Sequence, residues 1–293
     1  MIKKLIQMKC PVPFFGILAC AATLLAGCNL QSYNSPEGYD LENGAVSELG
    51  KVLNEISGIT YNDNDSSLLA ISDSKKKVFE IHLKRLKLRD YTGDVVGPDQ
   101  DLEDLVDIAN SVYLLSSKGT IYEVRSGMND TAGVRTYNFW STEKNDFETL
   151  YHDPSANGLI LLCKSCASDK GKQMRSAYRF DLTTKQFDTT AFYTISTTEV
   201  KELAKDSDAK FDPSAASINP VNKRLYILSS AGNLLVIADT QGSPKEVYRL
   251  NPDDHPQAEG IAFAPNGTMF ISNEGKYGKP TLQVFHFQNG KKK

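Results

Sequence analysis

Histidine, cysteine and tryptophan are scarce in this chain: 293 residues hold 4 His, 5 Cys and 1 Trp. A structural zinc centre needs four nitrogen or sulfur ligands. The one close cysteine pair, Cys163 and Cys166 in CKSC, has no His or Cys pair nearby to complete such a set. The Gly-rich phosphate loop, HExxH and GxSxG are all absent, so the sequence carries none of the signatures of nucleotide cradles, zinc peptidases or serine hydrolases. Positive charge is not in excess. Lys and Arg number 33 against 36 Asp and Glu. Residues 1–27 carry three Lys and no acid, so without them the balance is 30 minus 36, or −6. That balance argues against nucleic acid or an anionic surface as partner. The apolar stretch Val12 to Gly27 is 16 residues long, short of the ~20 that a membrane-spanning helix requires.

What that stretch does have is the layout of a secretory signal: Lys3, Lys4 and Lys9, then the apolar run, then small residues. Its end, Leu25-Ala26-Gly27-Cys28, resembles the bacterial lipoprotein box. The resemblance implies that Cys28 becomes the N-terminus and carries lipid, palmitate included, so that the membrane is one partner. Asn29, in place of Asp, implies sorting to the outer membrane. An ordinary signal peptide or a short anchor helix is the alternative. Gln31 to Gly38 is polar and turn-rich, as expected of a tether. The expected organisation is a signal peptide at 1–27, lipidated Cys and tether at 28–38, and one folded domain at 39–290.

Within that domain a segment recurs five times. Each copy opens on Ser57, Glu103, Glu148, Ser214 or Glu259, and openings are 46, 45, 66 and 45 residues apart. Short runs rich in Val, Ile, Leu, Tyr and Phe follow each opening, separated by Gly, Asn, Asp, Pro and Ser. Inner runs such as LILLC and LYIL are continuously apolar, as strands buried on both faces are; outer runs such as RTYNFWS and RDYTGDV alternate. A period near 45 with four strands per unit predicts an all-β chain, a single five-bladed β-propeller of four-stranded antiparallel blades. The fifth copy has three runs only, and unpaired edges are avoided. The run Tyr39 to Val46 is therefore expected to supply the missing outer strand. The long spacing holds residues 197–210, expected to form a short helix or surface excursion.

Antiparallel pairing places the start of each first strand and the end of each second at the same rim of the central channel. Ser57, Asp73, Glu103, Glu148, Ser214, Glu259, Asn273 and Glu274 are the resulting candidates for ligand or metal binding. Like charges at close range cannot all stay ionised without compensation. A bound cation, an amine (that of Lys164 or of a ligand) or raised pKa values would provide it, and a hydrated channel is the plainer alternative. Oxygen-rich ligands suit calcium better than zinc, which makes Glu103, Glu148 and Glu259 the candidate metal residues. In an oxidising envelope Cys163 and Cys166 are expected to form a local disulfide. His82 and His286 read as structural and His152 as strand filler. His255 reads as a surface-loop residue or as an acid or base near Glu259.

The segments EISGITYNDNDSSLLAISDS (55–74), DLEDLV (101–106), DFETLY (146–151), 211–239 and QAEGIAFAPNGTMFISNEG (257–275) resemble the SdiA-regulated family of bacterial envelope β-propellers. The resemblance implies a propeller, secreted or membrane-anchored, with channel residues at Ser57, Glu103, Glu148, Ser214 and Glu259. It implies no settled activity. The first expectation is a lipid-anchored propeller that binds a small molecule or an envelope protein at its acidic rim, without turnover. A calcium-dependent ester or phosphoester hydrolase and a structural envelope scaffold are the alternatives.

Overall fold

The computed structural model describes residues 33–92, 101–125, 133–276 and 278–288. The signal segment and Cys28 lie outside the described residues. The chain enters through β1 (Ala45–Glu48), which belongs to the last blade. Blade 1 follows as β2 (Ile56–Asn62), β3 (Ser67–Ser72), β4 (Lys77–His82) and β5 (Lys87–Asp90). Blade 2 is β6 (Leu102–Ile108), β7 (Ser111–Ser116), β8 (Ile121–Arg125) and β9 (Arg135–Tyr137). Blade 3 is β10 (Asn145–Asp153), β11 (Gly158–Cys166) and β12 (Met174–Asp181), with β13 (Gln186–Phe187) and β14 (Tyr193–Ser196) both paired to β12. Helix α1 (Thr197–Ala204) precedes blade 4: β15 (Ala215–Ile218), β16 (Leu225–Ser229), β17 (Leu234–Ala238) and β18 (Pro244–Arg249). Blade 5 is β19 (Ala258–Phe263), β20 (Met269–Asn273) and β21 (Thr281–Phe285), closed by β1.

The protein is thus an all-β, five-bladed propeller. Its core is not one mass but five clusters, one between each pair of neighbouring blades. This arrangement explains the composition of the strands. Every residue of β16 and β17 is buried because both faces meet another blade, whereas the outer strand β5 is largely exposed. Burial of apolar side chains is worth about 1.5–3 kcal/mol each, so these continuous runs dominate the energy of closure.

Closure occurs in the expected way but a few residues later. β1 pairs antiparallel with β21, Ala45 opposite Val284 and Glu48 opposite Thr281. Residues 39–43 turn instead of extending, because Tyr39 and Leu41 drop into the cluster between blades 4 and 5 and Asn43 bonds back to Asp40. The Tyr39 hydroxyl donates to Gly267 O (2.7 Å) and accepts from Asn219 Nδ2 (2.6 Å), tying the N-terminal segment to both blades. The outer layer of blade 3 is made by two short strands, β13 and β14, each paired with β12. Residues 197–204 form a helix, as the long spacing allowed. Ser196 Oγ caps it by accepting from Glu199 N (3.1 Å), Lys205 ends it at φ 53°, and Val200 is fully buried between blades 3 and 4.

Candidate functional site: an acidic channel mouth

Four innermost strands lose register by one residue at their start. Ile56 pairs with Ser72 but Ile59 with Ala70; Leu102 with Ser116 but Asp104 with Leu115. Phe147 pairs with Cys163 but Thr149 with Leu162, and Ala258 with Asn273 but Gly260 with Ser272. In blade 4, Ser214 N donates to Leu228 O (2.9 Å) while Leu228 is already opposite Ala215. Each is a β-bulge, a device that re-aims a side chain and bends the strand. The bulged positions are those of Ser57, Glu103, Glu148, Ser214 and Glu259, so the recurring opening of the sequence is a recurring bulge.

The next residue in each blade packs against a neighbour. A Cβ on Gly58 would lie 2.3 Å from Asp104 Oδ1, so only glycine lets blade 2 approach blade 1 there. The Asp104 carboxyl accepts from Leu105 N and Leu150 N, each at 2.8 Å, which ties blade 2 to blade 3. Its full burial pushes its pKa well above the usual carboxylate range.

Electrostatics group the bulged acids into one site. Burial, with the charges of Glu148, Asp101 and Asp73 added, pushes Glu103 up to about 9. Burial, with Glu148 and Glu274, pushes Glu259 up to about 8. Glu148 and Glu274 are raised as well, chiefly by burial. Lys164 forms an ion pair with Glu148. Burial acts to lower the Lys164 pKa, but the hydrogen bond and charge of Glu148 prevail and raise it. Lys164 is itself the extra residue of a bulge, since Asp146 pairs with Ser165 and Phe147 with Cys163. The disulfide Cys163–Cys166 spans it, so the expected bridge holds the lysine that faces the acids. Among the described residues no hydrogen bond or ion pair reaches the Glu103 carboxylate, and no cation is bonded to Glu259.

Not every candidate lies in this mouth with a free group. Asp73 is there, paired with Lys76. Ser57 is buried. Ser214 Oγ donates to Ala258 O (2.9 Å) and accepts from Ser230 N (3.2 Å), so its hydroxyl is used in joining blades 4 and 5. Asn273 is fully buried within blade 5, where Nδ2 donates to Thr281 Oγ1 (3.2 Å). His255 is neither a surface residue nor a partner of Glu259. It is 2% exposed, its ring stacks on Phe285 at 6.1 Å, neither nitrogen has a partner among the described residues, and burial lowers its pKa to about 4.

Sequence reasoning overlooked a second acidic ring. Two residues before each opening stand Glu55, Asp101, Asp146, Asp212 and Gln257. Asp101 and Asp146 help to raise Glu103, Asp212 helps to raise Glu148, and Glu55 helps to raise Glu274. Arg175 Nη2 holds Asp212 at 2.6 Å and Lys76 lies 3.9 Å from Asp101. The signal was present: an acid in four of five copies at a fixed offset. Among the described residues no group of three or more His, Cys, Asp or Glu is drawn together closely enough to hold a metal ion as the side chains stand.

Solved structures share this fold. Glutaminyl cyclase from Myxococcus xanthus superposes with a TM-score of 0.55 at 13% identity, over 84% of this chain and 96% of that one. A luciferin-regenerating enzyme gives 0.54 at 13% identity, over the same shares. A structural-genomics protein of unknown function from Bacteroides thetaiotaomicron VPI-5482 gives 0.51 at 10% identity, over 87% of this chain and 76% of that one. At such identities the likeness is one of fold. No curated protein matches the chain in sequence. The SdiA-regulated family model, in contrast, matches residues 37–277, from before the closing strand through the second strand of blade 5, and the chain belongs to that family.

Proposed function

We propose that this protein is a cell-envelope binding module, anchored in the outer membrane by lipid on Cys28, that takes a positively charged group at its acidic mouth without turning it over. The observation that carries this reading is the unequal compensation of the bulged acids. Lys164 engages Glu148, while Glu103 and Glu259, half-buried beside it, have no cation bonded to either among the described residues. A visiting cation would let both carboxyls ionise and would expel their protons. An ammonium or guanidinium group on a small molecule or envelope protein would bridge Glu103 and Glu259 and leave the Lys164 pair intact. A calcium ion would draw on Glu103, Glu148 and Glu259 and would have to displace Lys164, because calcium requires six to eight oxygens.

Calorimetric titration of the mature chain carrying Cys28→Ser, with calcium chloride and with spermidine, tests the reading. Two buffers of different ionisation enthalpy at pH 7.5 report proton release. At least one cation is expected to bind with protons expelled, and the Glu103→Gln/Glu148→Gln double variant is expected to weaken it at least tenfold. Silence with both cations, or undiminished binding by the double variant, overturns the proposal. Melting with and without chelator separates the calcium arm. The anchor is tested independently: Cys28→Ala should release the protein from membranes, and retention counts against lipidation.

A further inference from the structure

The innermost strands carry a second, different compartment at their far end. Two residues past each opening stand Ile59, Leu105, Leu150, Ala216 and Ile261, between 1% and 4% exposed. They floor a cavity of about 730 Å³ whose lining includes none of the mouth acids. All five innermost strands enter at the acidic mouth, so this girdle separates the acids from the cavity.

Two residues further along stand Tyr61, Asp107, His152, Ile218 and Phe263, the walls of the cavity. Three of these five are aromatic rings. Among the described residues no hydrogen-bond partner reaches the Tyr61 hydroxyl or either nitrogen of His152, and both side chains are partly buried. Burial lowers the His152 pKa, so its ring is neutral at pH 7 and offers one donor and one acceptor. The charged groups of the lining are three acids, Asp63, Asp107 and Asp153, and one base, Lys223. Small-molecule sites are cavities of about 300–1,000 Å³ with apolar linings and a few convergent polar groups, and this one has both features.

We infer that this far cavity is a second binding site, for an uncharged, ring-bearing small molecule that lays its apolar body on the Ile59–Leu105–Leu150–Ile261 floor and hydrogen-bonds to Tyr61 and His152. An anionic ligand is disfavoured because the lining sets Asp63, Asp107 and Asp153 against the single Lys223, and a charge without a counter-charge is costly to bury. The inference does not rest on the acidic-mouth reading.

The probe is N-phenyl-1-naphthylamine, a neutral amine bearing a naphthyl and a phenyl group, which fluoresces in apolar surroundings. Anilinonaphthalene sulfonate serves as its anionic counterpart. With the mature Cys28→Ser chain, the neutral probe should give saturable fluorescence at about one site, and the anionic one at least tenfold weaker binding. Ser217→Trp, which places a large ring on the cavity wall, should abolish the signal. The Tyr61→Phe/His152→Ala double variant should weaken it severalfold and decides the matter if Ser217→Trp does not fold. Glu103→Gln/Glu148→Gln should leave it unchanged, which separates this site from the acidic mouth. No saturable signal, or one untouched by both cavity variants, overturns the inference.

Discussion

At the scale of single residues, burial without a partner has the clearest consequence at His255. The folded chain holds its imidazole neutral down to about pH 4, against an ordinary value of 6.5. Between those values the unfolded chain binds the extra proton, so stability is full above pH 6.5 and declines as pH falls toward 4. Among the described residues neither ring nitrogen has a partner, and the ring already stacks on Phe285, so a phenyl ring keeps the packing and removes the titration. His255→Phe should gain about 2 kcal/mol at pH 5, since each pKa unit is worth about 1.4 kcal/mol. For a domain of this size that corresponds to a melting shift of about 5 °C, with little change at pH 8. An equal gain at both values would show that the effect is packing rather than proton linkage. His255 could not be read correctly from the sequence because nothing in NPDDHPQ tells a surface loop from one folded under blade 5, where Gln283 Nε2 donates to Asp254 O (2.8 Å).

At the scale of elements, legibility followed burial. Inner and middle strands were readable almost to the residue: the run ISGITYN is β2 and GLILLCK lies within β11. Two buried faces leave a continuous apolar pattern and few alternatives. Outer strands blurred because exposure frees their composition: β5 ends at Asp90 although the alternating run began at Arg89. The bulges were visible only as a recurring Ser or Glu, since the two-against-one pairing is a property of the partner strand. The closing strand was foreseen from the missing run in blade 5, but its start was misplaced because Tyr39 reads as a strand residue and acts as an anchor. That anchor yields a prediction. Tyr39→Phe keeps the ring against Tyr226 and Phe287 but strands Gly267 O and Asn219 Nδ2. Leaving a buried polar group unsatisfied costs about 1–3 kcal/mol. The variant should lose about 2–4 kcal/mol in urea unfolding, with the slope unchanged if the propeller still opens as one unit. A loss below 0.5 kcal/mol would mean that β1 alone, through its pairing with β21, holds the ring closed.

At the scale of the whole molecule, the five bulges gather acids whose protonation belongs to the closed ring and not to any one blade. Glu103 at about 9 and Glu259 at about 8 stand far above the ordinary 4.5. Between 4.5 and those values the folded chain binds more protons than the unfolded one, so stability must fall as pH rises through that window, with the full penalty reached above about 9. His255 acts in the opposite sense below 6.5, but one imidazole is outweighed by two carboxyls that are displaced further, so on these groups maximal stability falls at about pH 4–5. The Glu103→Gln/Glu259→Gln variant should flatten the alkaline side and melt above the parent protein at pH 9. The same protons link stability to binding. A cation that requires both carboxylates ionised must expel up to two protons below pH 8, so its affinity should climb toward a hundredfold per pH unit and level off above about 9. Glu148 moderates this slope, because Lys164 already shares its charge. Thermal unfolding and calorimetric titration across pH 6–10 read both effects on one preparation. A melting temperature flat from pH 6 to 9, with cation affinity equally flat, would mean that Glu103 and Glu259 are ionised in the empty mouth, and the closed ring would then have to stabilise their charge through ordered water.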